Sequence, residues 1–343
     1  MAFHPGALSG RIPCMDLSGT ADTQDSRLRQ AFSWLEQQGY ARPSESHSVA
    51  GDASFRRYFR LWIDGAPKIL MDAPPPKEDI RPFLDIAGRL RSAGLYAPEI
   101  FAADTHNGFI LIEDLGDDLY REQLSVQNVD DHFPAMFSLL KDLALKVETD
   151  QLPEFDTRKL QTEMNLFPDW YLGHHRKQAV HEQFDSIWKD FCQRVIESAR
   201  AQPQGFVHRD FHSCNLLKTR DNRIGIIDFQ DAVRGPLSYD FISLVWDRYI
   251  PWPRNRIEAW IEDFRRELEL DIDPQQWLRD CDLMGLQRNI KIIGIFARLH
   301  YRDGKDGYLE LIPRFYQYVT STLGLYPEFS DMLKFMEQSA CEP

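Results

Sequence analysis

The apolar pattern of this chain changes period near Glu113-Asp114-Leu115-Gly116, and that change limits what the chain can fold into. Before it, Ser46 to Ala50, Phe55 to Ile63, Pro67 to Met71, Glu99 to Ala103 and Phe109 to Glu113 read as short strands. Asp64-Gly65 joins the second to the third as a tight hairpin, and Thr105 to Gly108 turns between the last two. Helical spacing marks only Ser26 to Gln38, stopped by Gly39, and Asp79 to Ala93, followed by Gly94. After the change, helical spacing dominates: 130–148, 157–174, 178–200, 238–248, 255–270, 274–300 and 308–323. One β interruption, 206–228, breaks the run. The expected class is α+β, with a small β-rich N-terminal lobe at 25–116 and a larger, mainly helical lobe at 117–343. Residues 1–24, rich in Gly, Pro, Ser and Thr, read as a loose leader. A chain of 343 residues is long enough for two such cores.

Charge narrows the partners. The formal net charge is -13, and the densest basic spot is Arg56, Arg57 and Arg60. Phosphate backbones and anionic lipid surfaces repel such a chain, so neither nucleic acid nor a membrane is an expected partner. Protein partners are left open. No apolar run reaches the ~18 residues of a membrane span, and the N-terminus lacks the pattern of a secretory signal. The five cysteines are odd in number, far apart and without a C-x-x-C pair, which fits a reducing cytoplasm.

The β interruption carries the chemistry. It reads Val207-His208-Arg209-Asp210-Phe211-His212-Ser213-Cys214-Asn215-Leu216-Leu217, then Ile224-Gly225-Ile226-Ile227-Asp228-Phe229-Gln230-Asp231. A hairpin turning at Asp221-Asn222 would bring Asp210 and Asp228 to one end. Phosphoryl transfer needs a carboxylate to accept the acceptor's proton, plus an amide and a second carboxylate to hold Mg²⁺ on the triphosphate. Asp210 suits the first task, and Asn215 with Asp228 the second, since Mg²⁺ takes hard oxygens and few protein carboxylates. The H-R-D-x-x-x-x-N spacing and Asp-Phe pair match the protein-kinase catalytic signature. Zinc is rejected: His208 and His212 lack the adjacent glutamate and the helix that a metalloprotease site requires.

On these residues the chain resembles the aminoglycoside phosphotransferase/choline kinase group, kinase-like enzymes that phosphorylate small molecules. His212, two residues after Asp210, and Pro236-Leu237-Ser238-Tyr239-Asp240 carry the likeness, and no A-P-E triplet follows Asp228. The resemblance implies a bilobal protein-kinase-like fold using ATP and Mg²⁺, with Asp240 bracing the catalytic loop through its backbone. It implies that Gly51 to Arg60 covers the phosphates, with Ser54 and Arg57 as nucleotide contacts, although the stretch holds a single glycine. It also implies a hinge at Ile110 to Gly116, with adenine at backbone groups around Glu113 and Leu115. The third strand departs from the kinase pattern: Ile69-Leu70-Met71-Asp72 stands where the phosphate lysine belongs. Lys68, Arg57 or Arg60 would then supply the charge.

Longer stretches resemble one subgroup, the anomeric amino-sugar kinases that phosphorylate C1 of N-acetylmuramate and N-acetylglucosamine in cell-wall recycling. They are 52–58, 71–75, 113–117, 227–232, and Gly294 to Leu299 through Arg302-Asp303-Gly304-Lys305. That subgroup also carries Met-Asp in the third strand. Sugar sites pair planar polar side chains with aromatic platforms, and Glu163, Asn165 and Trp170 offer that mixture. His212 would face the acceptor, and Arg288 or Lys291 would meet a muramate carboxylate. Two other readings stay open: a phosphotransferase for an aminoglycoside or another small-molecule hydroxyl, and a nucleotide-binding pseudokinase.

Overall fold

The carboxylate of Asp25 caps the first helix by accepting from the N–H groups of Arg27 and Leu28. From there the computed structural model describes residues 25–49, 55–178, 182–246, 250–269 and 271–341. The expected leader, 1–24, lies outside the described residues. The chain divides into two compact units, Met1–Asp85 with Pro98–Leu115, and Ile86–Ala97 with Gly116–Pro343.

In the first unit, strands β1 (Ser46–Val49), β2 (Arg57–Ile63), β3 (Ala66–Asp72), β4 (Ile100–Asp104) and β5 (Phe109–Glu113) form an antiparallel sheet. The strand order is β1-β2-β3-β5-β4. Asp64 and Gly65 both take positive φ, +52° and +77°, as a two-residue hairpin of this twist requires. Helix α1 (Ser26–Gln37) lays Leu28, Ala31, Trp34 and Leu35 on one sheet face, against Phe59, Leu61, Ile63, Leu70, Phe109 and Leu111. These strand residues fall in cross-strand rows, Phe59 beside Leu70 beside Leu111, because side chains alternate with period two. Helix α2 (Arg81–Ser92) begins in this unit, and its residues from Ile86 on belong to the second.

The second unit is mainly helical: α3 (Tyr120–Gln123), α4 (Val129–Lys146), α5 (Thr157–Met164), a π-helix (Phe167–His175), α6 (Glu182–Ala201), α7 (Ser238–Val245), α8 (Arg254–Glu267), α9 (Pro274–Tyr301), α10 (Ile312–Leu323) and α11 (Ser330–Cys341). Between α6 and α7 lie two small antiparallel pairs: β6 (Gln204–Val207) with β9 (Val233–Pro236), and β7 (Leu216–Lys218) with β8 (Ile224–Ile226). The β7–β8 hairpin is tied to the residues after α2, where the Ile226 N–H donates to the Tyr96 carbonyl at 2.9 Å. Helix α9 is the axis of this unit. Most of its length is buried, with α5, the π-helix, α6, α7, α8 and α10 packed around it. Among the described residues no helix is long and apolar enough to cross a membrane.

The expected continuous helix over 157–174 is two elements. Helix α5 stops at Met164, because Pro168 lacks the N–H that would continue the helical ladder. Gly294 of α9 presses on the break: a Cβ there would sit 2.3 Å from the Leu166 carbonyl carbon. The β interruption extends past 228, since β9 returns to pair with β6. Within β9, Gly235 is seated against the Phe155 side chain, where an added Cβ would lie 3.0 Å from the Phe155 Cβ. Helix α11 lies beyond the last helix expected from the periodicity.

Candidate active site

The β7–β8 hairpin brings its two polar ends together. The Asn215 side-chain amide donates to the Asp210 carbonyl at 2.9 Å and to Asp228 Oδ2 at 3.3 Å. The backbone repeats the link, Ile227 N–H to Asn215 carbonyl at 3.1 Å. Gln230 Nε2 donates to Asp228 Oδ1 at 2.9 Å and fixes the carboxylate from its other side. With its amide nitrogen so engaged, Asn215 keeps Oδ1 for a cation, beside the Asp228 carboxylate. An amide oxygen and one carboxylate are a fitting hard-oxygen donor pair for Mg²⁺, which retains waters and phosphate oxygens as its other ligands. Among the described residues no three His, Cys, Asp or Glu gather to hold a metal.

The loop before the hairpin is held from beneath. Asp240, buried at the start of α7, accepts from the N–H groups of His208 at 2.5 Å and Arg209 at 3.0 Å. Burial pushes its carboxyl up to about 6, against the opposing pull of His208 and these two N–H donors. His208 Nε2 meets the Ile227 carbonyl at 3.0 Å; a carbonyl only accepts, so Nε2 carries the proton and Nδ1 accepts from the Asp210 N–H at 3.3 Å. Arg209 has φ +76° and Asp228 φ +62°, left-handed backbone that side chains other than glycine rarely adopt.

A charged cluster lies behind this loop. Glu163 of α5 accepts from Arg209 through Oε1, and Lys291 Nζ of α9 reaches the same oxygen at 3.1 Å. Gln287 Nε2 donates to Glu163 Oε2 at 3.0 Å, and Lys291 Nζ also donates to the Tyr239 hydroxyl at 3.0 Å. Burial raises the Glu163 carboxyl, but Lys291 and Arg209 outweigh it and hold the group below the usual carboxylate range. Asp210 is lowered in the same way. The residue reaches the surface, yet desolvation by the protein around it works against ionisation; Lys291 first, then His212, His208 and Arg209, outweigh it.

Other expected site residues have partners of their own. Asn165 Oδ1 accepts from Gln161 at 2.8 Å and from the Trp188 indole at 3.2 Å. Trp170 stacks on His174 with ring centroids 4.5 Å apart, and Arg288 donates to the Trp246 carbonyl at 3.4 Å. His212 is half-buried on the catalytic loop, where its carbonyl accepts from the Asn215 N–H at 2.9 Å. In the first unit, Arg57, Asp72, Lys68 and Glu113 occupy rows of the sheet face that α1 covers. Asp72, almost fully buried, accepts from both Arg27 and Arg57, and Arg57 also reaches Asp25. Lys68 Nζ lies 3.7 Å over the Phe101 ring, and Glu113 Oε2 accepts from the Glu99 N–H at 3.1 Å. Leu115 is buried at the end of the unit. Arg60 stands on the opposite face, paired through two nitrogens with Asp114 at 2.6 and 3.0 Å. Ser54 lies outside the described residues. Sequence reasoning missed Arg209, Gln230, Tyr239 and Gln287 as parts of the site; the first three lie inside motif stretches that sequence singled out, and Gln287 carried no local signal.

Residues 46–278 match the family described as "Phosphotransferase enzyme family". The chain is 39% identical over 326 residues to an N-acetylmuramate/N-acetylglucosamine kinase of Pseudomonas aeruginosa, covering 90% of this chain and 96% of that one. An enzyme of the same name from Neisseria meningitidis is 34% identical over 309 residues, covering 87% and 92%. Among solved structures, the choline kinase LicA of Streptococcus pneumoniae superposes with a TM-score of 0.62 at 11% identity, covering 87% of this chain and 99% of that one. An ADP-bound aminoglycoside phosphotransferase superposes with a TM-score of 0.56 at 15% identity, covering 84% and 96%. Likeness at these identities reports a shared protein-kinase-like fold.

Proposed function

We propose the acceptor and mechanism of this chain from one premise: it belongs to the phosphotransferase enzyme family and is a small-molecule kinase. The acceptor is an N-acetylated amino sugar, N-acetylmuramate or N-acetylglucosamine, and the phosphate of ATP goes to its C1 hydroxyl. The names of relatives matched along nine-tenths of the chain support this acceptor. The observation that carries the mechanism is the Asn215 side chain, whose one amide joins the Asp210 loop to the Asp228 carboxylate.

Asp210 orients the sugar hydroxyl and takes its proton as the oxygen attacks the γ-phosphorus, whose bond to the bridging oxygen breaks to release ADP. Its neighbours keep it ionised at neutral pH, ready to accept. Asn215 and Asp228 hold Mg²⁺, which neutralises charge on the triphosphate when bound. Gln230 keeps the Asp228 carboxylate from rotating. The odd, scattered cysteines and the use of ATP support a cytoplasmic location, and the acceptor named for the relatives supports a role in recycling cell-wall sugars.

The test is a phosphotransfer assay with ATP and Mg²⁺ across N-acetylmuramate, N-acetylglucosamine and kanamycin. The product is read by phosphorus NMR. The expected product shows phosphorus coupled to the anomeric proton. Turnover of kanamycin without a sugar product would transfer the assignment to an aminoglycoside acceptor. Binding of ATP with no transfer to any acceptor would make the chain a pseudokinase.

A further inference from the structure

We propose that Glu163 and Lys291 are positioning residues rather than sugar ligands: with Arg209 they form a charge bridge from α5 and α9 that holds the His208–Asp210 loop. The inference rests on Asp210 working from that loop, and it deepens the proposed mechanism.

Arg209 is the residue that most needs holding. Its left-handed backbone, φ +76°, is strained for an arginine and persists only where its surroundings impose it. Two carboxylates impose it. Asp240 takes the backbone N–H, and Glu163 takes the guanidinium, which also lies 5.6 Å over the Phe155 ring. Asp210 is the next residue, so whatever fixes Arg209 aims Asp210.

Glu163 is poorly suited to bind a ligand. Its side chain is 11% exposed, and three internal donors, from Arg209, Lys291 and Gln287, occupy its two oxygens. Lys291 is as enclosed, and its ammonium divides between Glu163 and the hydroxyl of Tyr239, which is fully buried. Tyr239 in turn packs edge-on against Phe155, the ring beneath Arg209, and so closes the circuit. The groups come from well-separated parts of the chain: Glu163 lies 46 residues before Arg209 and 128 before Lys291. Breaking such a buried pair by removing one partner leaves an uncompensated charge, whereas removing both is far less costly.

That asymmetry supplies the test, made on the full chain with Glu163→Gln, Lys291→Met and the double variant. Each single substitution is expected to lower kcat about 100-fold while the sugar KM stays within about threefold, as misaimed catalytic groups do. The double variant is expected to lose about tenfold less kcat than the product of the two single losses, the signature of coupled neighbours. A large rise in sugar KM at unchanged kcat, or strictly multiplicative losses, would overturn the proposal. Thermal unfolding midpoints check that each variant folds. If Glu163→Gln does not, Lys291→Arg against Lys291→Met decides: arginine is expected to retain kcat within about fivefold, and equal losses overturn the idea. A wild-type protein inert toward amino sugars would remove the acceptor assignment instead. The same cycle is then read on ATP hydrolysis without sugar, so the two failures are distinguishable.

Discussion

Two carboxylates thirty residues apart, Asp210 and Asp240, do opposite things with a proton. Asp210 is kept ionised by the cations around it, so replacing it with asparagine removes the proposed acceptor of the sugar's proton while preserving shape. Asp210→Asn is expected to lower kcat about 10²–10⁴-fold with a thermal midpoint close to wild type, checked by steady-state kinetics beside calorimetry. Asp240 behaves otherwise, because burial raises its carboxyl to about 6. The folded chain then binds that proton more tightly than the unfolded chain, whose carboxyl keeps an ordinary value. Its contribution to stability is fully present below about pH 4 and is lost as the pH rises through about 6. The size is about 2–3 kcal/mol at one pKa unit per 1.36 kcal/mol. Denaturant midpoints of wild type and Asp240→Asn should therefore differ less at pH 7 than at pH 4.5. A constant difference would mean that Asp240 does not titrate in that window.

At the scale of elements, the contact between α9 and the break after α5 leaves no room for a side chain. A Cβ on Gly294 would lie 2.3 Å from the carbonyl carbon and 2.4 Å from the carbonyl oxygen of Leu166, both backbone and unable to swing aside. Gly294→Ala is expected to destabilise by about 1–3 kcal/mol, read as a shift of the urea midpoint. In the first unit, Arg57 pairs with Asp72 and Asp25 on the face covered by α1. Arg57→Ala should accordingly lower the unfolding midpoint more than it raises the KM for ATP. The opposite ranking would return Arg57 to the nucleotide. Local signals made much of this legible in advance: the Asp64-Gly65 hairpin, the Gly39 and Gly94 helix stops, and the Asp210, Asn215 and Asp228 spacing on one hairpin. The bridge under the loop was not legible, because its residues come from α5, the catalytic loop and α9, and no period or spacing links them. Sequence also could not assign the sheet face of Lys68, since face depends on register with Leu61 and Glu113, a long-range pairing.

For the molecule as a whole, the net charge of -13 is unevenly spread, with -3 over 1–116 and -10 over 117–343, while 205–240 balances five acids with five bases. A negative body slows the approach of an anion and leaves a neutral sugar unaffected. Raising ionic strength from low salt to about 0.2 M should thus improve kcat/KM for N-acetylmuramate over N-acetylglucosamine by about two- to threefold. An unchanged ratio would show that the local balance around the motif governs approach. The Arg209–Glu163 pair also bears on regulation. In signalling kinases the activation loop is commonly ordered when a phosphate, added by another enzyme, pairs with arginine. Here the arginine of the His-Arg-Asp triplet already holds an anion supplied by its own polypeptide, so this contact needs no added phosphate to form. A loop anchored from within its own chain keeps Asp210 aimed without a partner enzyme having to order it.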